Sequence, residues 1–158
     1  MKLVLSALLL MTSMFLNADP KRVYIDAVAD LMHPGHIALF KKAKEQGDYL
    51  IVGIHSDEDV AQYKRIPILT TEERAYTVAA CRYVDEVILN APLHIDEAYI
   101  REHQIDLVIH GDDISQEKCQ QWYGVPMRMG IFKLVPYTEG ISTTYIIHRI
   151  VSLYGTQK

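Results

Sequence analysis

The stretch "RVYIDAVADLMHPGHIALF", residues 22–40, decides how the rest of the chain is read. It opens on a short apolar run rich in β-branched and aromatic residues, the pattern of a buried strand, and closes on apolar residues at helical spacing. Between them "DLMHPGH", residues 30–36, sets two histidines around Pro34-Gly35 at a strand-to-helix junction. Gly35 permits close backbone approach, and a helix starting near His36 offers free N–H groups and the positive end of its dipole. Such a junction suits a phosphate chain, with His33 and His36 as added donors. The tetrapeptide alone does not separate this reading from two surface histidines. A metal pair is a third reading, for which no nearby cysteine or carboxylate completes the coordination.

The same alternation continues outward. Strand patterns occur at 49–55, 85–91, 105–111 and 131–137 after the first at 22–28, and helical patterns at 36–46, 56–64, 70–84, 94–104, 115–124 and 142–154. No Gly/Ser-rich linker or repeat interrupts them. Near-continuous apolar strands joined by helices belong to a parallel sheet covered on both faces, so the expected fold is α/β, a Rossmann-like doubly wound five-stranded parallel sheet in a single domain. Such sheets bind ligands at the C-terminal ends of their strands, which puts "DLMHPGH" in the crevice.

At 158 residues and 49% hydrophobic content the chain has room for one ordinary core. A net charge of −4 argues against a broad nucleic-acid or anionic-membrane surface, while leaving room for a local basic cluster on a small phosphate ligand. Cys81 and Cys119 lie in separate segments without metal-ligand spacing, so neither a disulfide framework nor a zinc site is indicated. Residues 1–20 carry Lys2, an apolar run and then "NADP", the form of a signal peptide ending near Ala18. An uncleaved anchor, or an upstream extension of a chain started at Met11 or Met14, gives the same pattern. The domain is expected over 21–158.

A second junction, "TEGISTTYIIHRI" at 138–150, follows the fifth strand pattern with Gly140 and a hydroxyl run at a helix start. Ser142, Thr143 and Thr144 serve as simple caps in one reading and as a second phosphate cradle in the other. Two cradles at the ends of different strands point to a polyphosphate between them.

Together these segments resemble the cytidylyltransferases of the H-x-G-H nucleotidyltransferase superfamily, and among them the phosphoethanolamine and phosphocholine enzymes. The resemblance runs over residues 22–154 and rests on "DLMHPGH", "GDYLIVGIHSDE", "YK" at Tyr63-Lys64, "EER" ending at Arg74, "CRYVDEV" from Cys81, "HGDDI" from His110 and "TEGISTT", in that order. It implies transfer of CMP from CTP, with Mg²⁺, to a phosphorylated alcohol, pyrophosphate leaving. It also implies a homodimer working in the cytoplasm, or anchored facing it. A phosphate acceptor is already ionised at neutral pH, so alignment and charge stabilisation carry such a reaction and no general base is required.

On that resemblance His33, His36 and Lys64 are catalytic. Ile25, Arg74, His110, Gly111, Asp112, Asp113, Ile141, Ser142, Thr143 and Thr144 bind the nucleotide, Asp26, Asp30 and Arg82 bind the acceptor, and Mg²⁺ is held mainly by the CTP phosphates. Asp26 matches a family carboxylate placed near the acceptor's amine. The choline enzymes add an aromatic residue shortly after "DDI", where this chain has Ser115-Gln116, so phosphoethanolamine is the expected acceptor. Glycerol 3-phosphate, another polyol phosphate or an aminoalkylphosphonate stand behind it. Three positions depart from the family pattern: Ala27 replaces a glycine, Ala29 an aromatic residue and Tyr137 an arginine, and the changes at Ala27 and Tyr137 are expected to weaken CTP binding. With the signal-like start they sustain an alternative of another class, an exported nucleotide-binding protein with impaired catalysis.

Overall fold

The computed structural model describes residues 19–155. The signal-like segment lies outside them but for Asp19 and Pro20. Five strands, β1 (Arg22–Ala27), β2 (Tyr49–Ile54), β3 (Glu86–Leu89), β4 (Leu107–Gly111) and β5 (Phe132–Val135), form one sheet in the order β3-β2-β1-β4-β5, every pair parallel. The helices between and after them are α1 (Pro34–Lys44), α2 (Asp57–Ala61), α3 (Thr71–Ala79), α4 (Glu97–Glu102), α5 (Gln116–Arg128) and α6 (Thr143–Tyr154). The expected doubly wound sheet is therefore the observed one. Among the described residues no helix is long and apolar enough to cross a membrane.

Alternation along β1 assigns the two faces. Val23 and Ile25 join a core with Phe40, Val52, Ile54 and Val78, while Tyr24 joins a second core with Ile51, Ile100, Val108, Cys119 and Tyr123. Asp26 has the same parity as Tyr24 and so falls on the second face, beneath α5. Both faces are covered, which is why the strands read as continuous apolar runs.

The winding direction reverses between β1 and β4, the point at which open α/β sheets form their crevice. Six residue pairs join β1 to β2, but β1 pairs with β4 only at Val23–Leu107 and Tyr24–Val108. Beyond Tyr24 the two strands part, and the gap is the crevice.

Helix boundaries differ from the sequence pattern for local reasons. Helix α1 starts at Pro34, two residues before the expected start, because His33 serves as its N-cap and Pro suits the first helical position. Helix α3 stops at Ala79, and residues 81–84 turn instead, with Asp85 pinning the chain through bonds from Leu50 N (2.7 Å) and Lys44 Nζ (2.6 Å). Helix α5 runs through Pro126, which strips the Trp122 carbonyl of its helical donor. Ile95 N supplies one from outside at 3.0 Å.

Candidate active site

A cavity of about 530 Å³ opens at the C-terminal ends of β1 and β4. Asp26, Asp30, His33, His36, Lys64, His110, Gly111, Asp113, Ser142, Thr143 and Thr144 all line it, from segments more than a hundred residues apart. Thr143 Oγ1 donates to Asp30 O at 2.8 Å, so the two helix starts that read as cradles are tied to each other.

The first turn of α1 orients the histidine pair. Gly35 N–H donates to His33 Nδ1 (3.1 Å) and His33 N–H donates to His36 Nδ1 (3.3 Å). A ring nitrogen that accepts is unprotonated, so in each neutral imidazole the proton sits on Nε2, free for the cavity. Burial lowers the pKa of His33. Burial lowers that of His36 to about 4, the neighbouring His33 and Lys64 charges adding to the effect and Asp30 opposing it. The rings lie 3.9 Å apart, centre to centre. The pair is therefore two neutral Nε2–H donors at pH 7, suited to phosphate oxygens and unsuited to proton abstraction. A side chain at residue 35 would put its Cβ 2.9 Å from His33 Cε1, which is the reason for glycine there.

Lys64 has an exposed side chain, yet the walls crowd its ammonium. Desolvation lowers its pKa, Asp113 opposes the shift, and Arg65 and Lys118 add to it.

Asp26 forms the floor, 5% exposed. Its Oδ1 accepts from Tyr123 Oη at 2.6 Å, and burial, reinforced by the nearby carboxylate, keeps that phenol protonated. His55, whose Nδ1 donates to Ala91 O at 3.0 Å, turns Nε2 toward the same Oδ1 at 3.9 Å. Asp26 Oδ2 is buried without a hydrogen-bond partner.

Several expected contacts fall elsewhere. Arg74 does not line the cavity: it is fully buried, and its guanidinium donates to Leu69 O, Val28 O, His55 O, Asp57 Oδ1 and Thr71 Oγ1 at 2.6–3.2 Å. Burial and these bonds turn the guanidinium inward, where Arg74 joins the loops that end β1 and β2. Asp30 lines the cavity, but its oxygens accept from Ile68 N, Leu69 N and Arg65 Nη2, so it positions the 65–69 segment and is not free for an acceptor. Arg82 is exposed on the turn after α3, outside the cavity wall. Ile25 is buried in the core. Asp112 accepts from Tyr137 N at 2.7 Å, and Ile141 borders a smaller hollow beside α6. Asp112 and Ile141 thus shape the rim.

The departures also have places. Ala27 and Ala29 both line the cavity, Ala29 almost fully buried and with a left-handed φ of 54°. Tyr137 lines it too, its hydroxyl donating to Ile141 O at 3.4 Å. Sequence reading gave Tyr63 no role beyond its place in a motif and passed over Trp122, Tyr123 and Lys118, all on the wall. Only the single tryptophan of the chain offered a signal, and nothing in its spacing tied it to Asp26. Among the described residues no three His, Cys, Asp or Glu side chains converge as metal ligands.

The model of the cytidylyltransferase-like family matches residues 24–149. The chain is 42% identical over 141 residues to the ethanolamine-phosphate cytidylyltransferase of Arabidopsis thaliana, covering 85% of this chain and 33% of that protein. It is 42% identical over 139 residues to choline-phosphate cytidylyltransferase A of Homo sapiens, covering 85% of this chain and 38% of that one. The chain thus spans between a third and two-fifths of the length of these relatives. Among solved structures, the lipopolysaccharide core biosynthesis protein of Thermoplasma volcanium superposes with a TM-score of 0.63 at 25% identity, over 77% of this chain and 99% of that one. Pantothenate synthetase of Thermus thermophilus shares the fold, with a TM-score of 0.53 at 11% identity. With the family model spanning most of the sheet and both cradles, the chain belongs to the cytidylyltransferase-like family.

Proposed function

We propose that this chain transfers CMP from CTP, bound with Mg²⁺, to phosphoethanolamine and releases pyrophosphate. The observation that carries the choice of acceptor is Asp26 Oδ2, a buried carboxylate oxygen with no partner on the cavity floor. A buried acceptor left empty costs about 1–3 kcal/mol, and a primary ammonium supplies both the missing donor and the opposite charge.

An oxygen of the acceptor's phosphate attacks the α-phosphorus, the bond from that phosphorus to the bridging oxygen breaks, and pyrophosphate leaves with the electron pair. The two Nε2–H donors of His33 and His36 stabilise charge on the α-phosphate and leaving group, and stay neutral while doing so. Lys64, on the same cavity, bridges attacking and attacked phosphates, which its flexible stem permits. Ser142, Thr143 and Thr144 at the start of α6 hold the remaining phosphates. Bound with the nucleotide, Mg²⁺ would be held mainly by the CTP phosphates and would screen the charge of the triphosphate. His110 to Asp113, at the end of β4, border the nucleoside.

Family resemblance further supports a homodimer in the cytoplasm, to be checked by sedimentation and by the mature N-terminal sequence. The reaction itself is tested by pyrophosphate release with CTP or ATP across phosphorylated alcohols. Release is expected with CTP and phosphoethanolamine together and with neither alone. Preference for ATP, or CTP binding without turnover for every acceptor, overturns the proposal.

A further inference from the structure

One wall of the cavity carries an ammonium group that the reaction above does not use. Tyr63 and Trp122 meet edge to face, ring centres 5.0 Å apart at 70°. Lys118 Nζ lies over both, 5.4 Å from the Tyr63 ring centre and 5.6 Å from that of Trp122; Lys64 Nζ also lies over Tyr63, at 5.8 Å, so the indole is the ring that Lys118 alone covers among the described residues. Lys118 and Trp122 are one helical turn apart on α5, where side chains lean toward the N-terminus, so the indole leans back over the lysine stem. The backbone beneath is held from outside the helix by the Ile95 N–H on the Trp122 carbonyl. Among the described residues Lys118 makes no ion pair.

We propose that Lys118 is a specificity-determining residue: its ammonium occupies the ring faces that a methylated ammonium would need, and so restricts the acceptor to amines that carry N–H. This rests on the proposed transfer to an amino-alcohol phosphate. The chemistry has two halves. Asp26 Oδ2 on the floor asks for a hydrogen-bond donor, which a primary ammonium supplies and a quaternary ammonium lacks. A quaternary ammonium instead binds through aromatic faces, and here those faces already hold a cation of the same charge. A small primary amine passes beneath Lys118 to the carboxylate; a trimethylammonium group must displace it.

The test compares the wild type, Lys118→Ala, Lys118→Gln and Lys118→Arg with phosphoethanolamine, its N-methyl and N,N-dimethyl forms, and phosphocholine. In the wild type kcat/KM is expected to fall with each methyl group. Lys118→Ala and Lys118→Gln should raise the ratio of phosphocholine to phosphoethanolamine by about two- to thirty-fold, the span of one cation–π contact, while Lys118→Arg keeps it low. An unchanged ratio in both neutral variants overturns the inference, as does an arginine variant that behaves like alanine. Trp122, the only tryptophan, supplies a readout independent of turnover. Fluorescence titration should give a phosphocholine Kd that tightens against that of phosphoethanolamine when Lys118 is neutralised. If no acceptor is turned over, the proposed reaction fails while the two dissociation constants still decide the role of Lys118. A tryptophan signal that responds to neither ligand places the acceptor elsewhere and removes it.

Discussion

The hydroxyl of Tyr123 meets Asp26 Oδ1 at 2.6 Å, joining α5 to the end of β1 across 97 residues of chain. One carboxylate oxygen is thereby satisfied from inside the protein, and the other, Oδ2, is left buried without a partner in a residue that lines the cavity. The contact fixes which of the two oxygens is left free.

Asp26→Asn should lower kcat/KM for phosphoethanolamine severalfold or more, since a desolvated charge pair contributes on the order of a few kcal/mol. Glycerol 3-phosphate has no cation and should lose much less. Equal losses for both acceptors retire the ammonium role of Asp26. Tyr123→Phe leaves Oδ1 without its donor and should cost about 1–3 kcal/mol in urea unfolding.

For His36 the folded pKa near 4 lies below the ordinary imidazole value near 6.5. Between those values the unfolded chain binds more protons, so stability falls as pH drops from about 6.5 to 4 and is untouched by this group above that window. The loss should total about 2–4 kcal/mol, and His36→Gln should remove it from the pH profile. An NMR titration midpoint near 6.5 contradicts the burial of the ring. In kinetics at neutral pH, His36→Ala should cut kcat by about 10²–10³, and Lys64→Ala by at least as much. A change confined to KM withdraws the catalytic role.

Gly35→Ala brings a methyl group to 2.9 Å from His33 Cε1 and 3.0 Å from its Nδ1, so the imidazole must move. The expected outcome is a loss in kcat of about 10–100-fold with a stability change under about 1 kcal/mol. A fully active alanine variant shows that the position of His33 is not critical.

Arg74→Met removes the group that five buried or half-buried acceptors share, and should destabilise by about 3–5 kcal/mol. Arg74→Lys, with one donor head in place of a fork, should recover only part. An unchanged urea midpoint with a raised KM for CTP reverses the assignment and makes Arg74 a nucleotide ligand.

What could be read from the chain was what bonding within a few residues controls. The apolar runs around Ile25, Val52 and Ile109 announced strands because each is buried on both faces, and Ser142 announced a helix start because its Oγ accepts from Tyr145 N three residues on. Helix ends were less legible. Pro126 reads as a terminator until Ile95 N is known to take the carbonyl it strands, and that donor lies 27 residues from its acceptor.

The alternation of strands and helices, the parallel sheet that follows from it, and the His-Pro-Gly-His turn are written in local residue order, and in that turn two imidazoles are oriented by backbone N–H groups at most three residues away. Which charged side chains line the cavity with groups left free depends on how distant segments pack. Arg74, Arg82 and Asp30 looked as available as Asp26, yet acceptors and donors from distant loops occupy Arg74 and Asp30, and a turn carries Arg82 off the cavity wall. The physical reason is that the cavity comes from β1 and β4 parting beyond Tyr24, and its aromatic wall from α5 crossing the face beneath which Asp26 points. Strand order and splay set those distances, and neither is encoded in the spacing of the residues concerned.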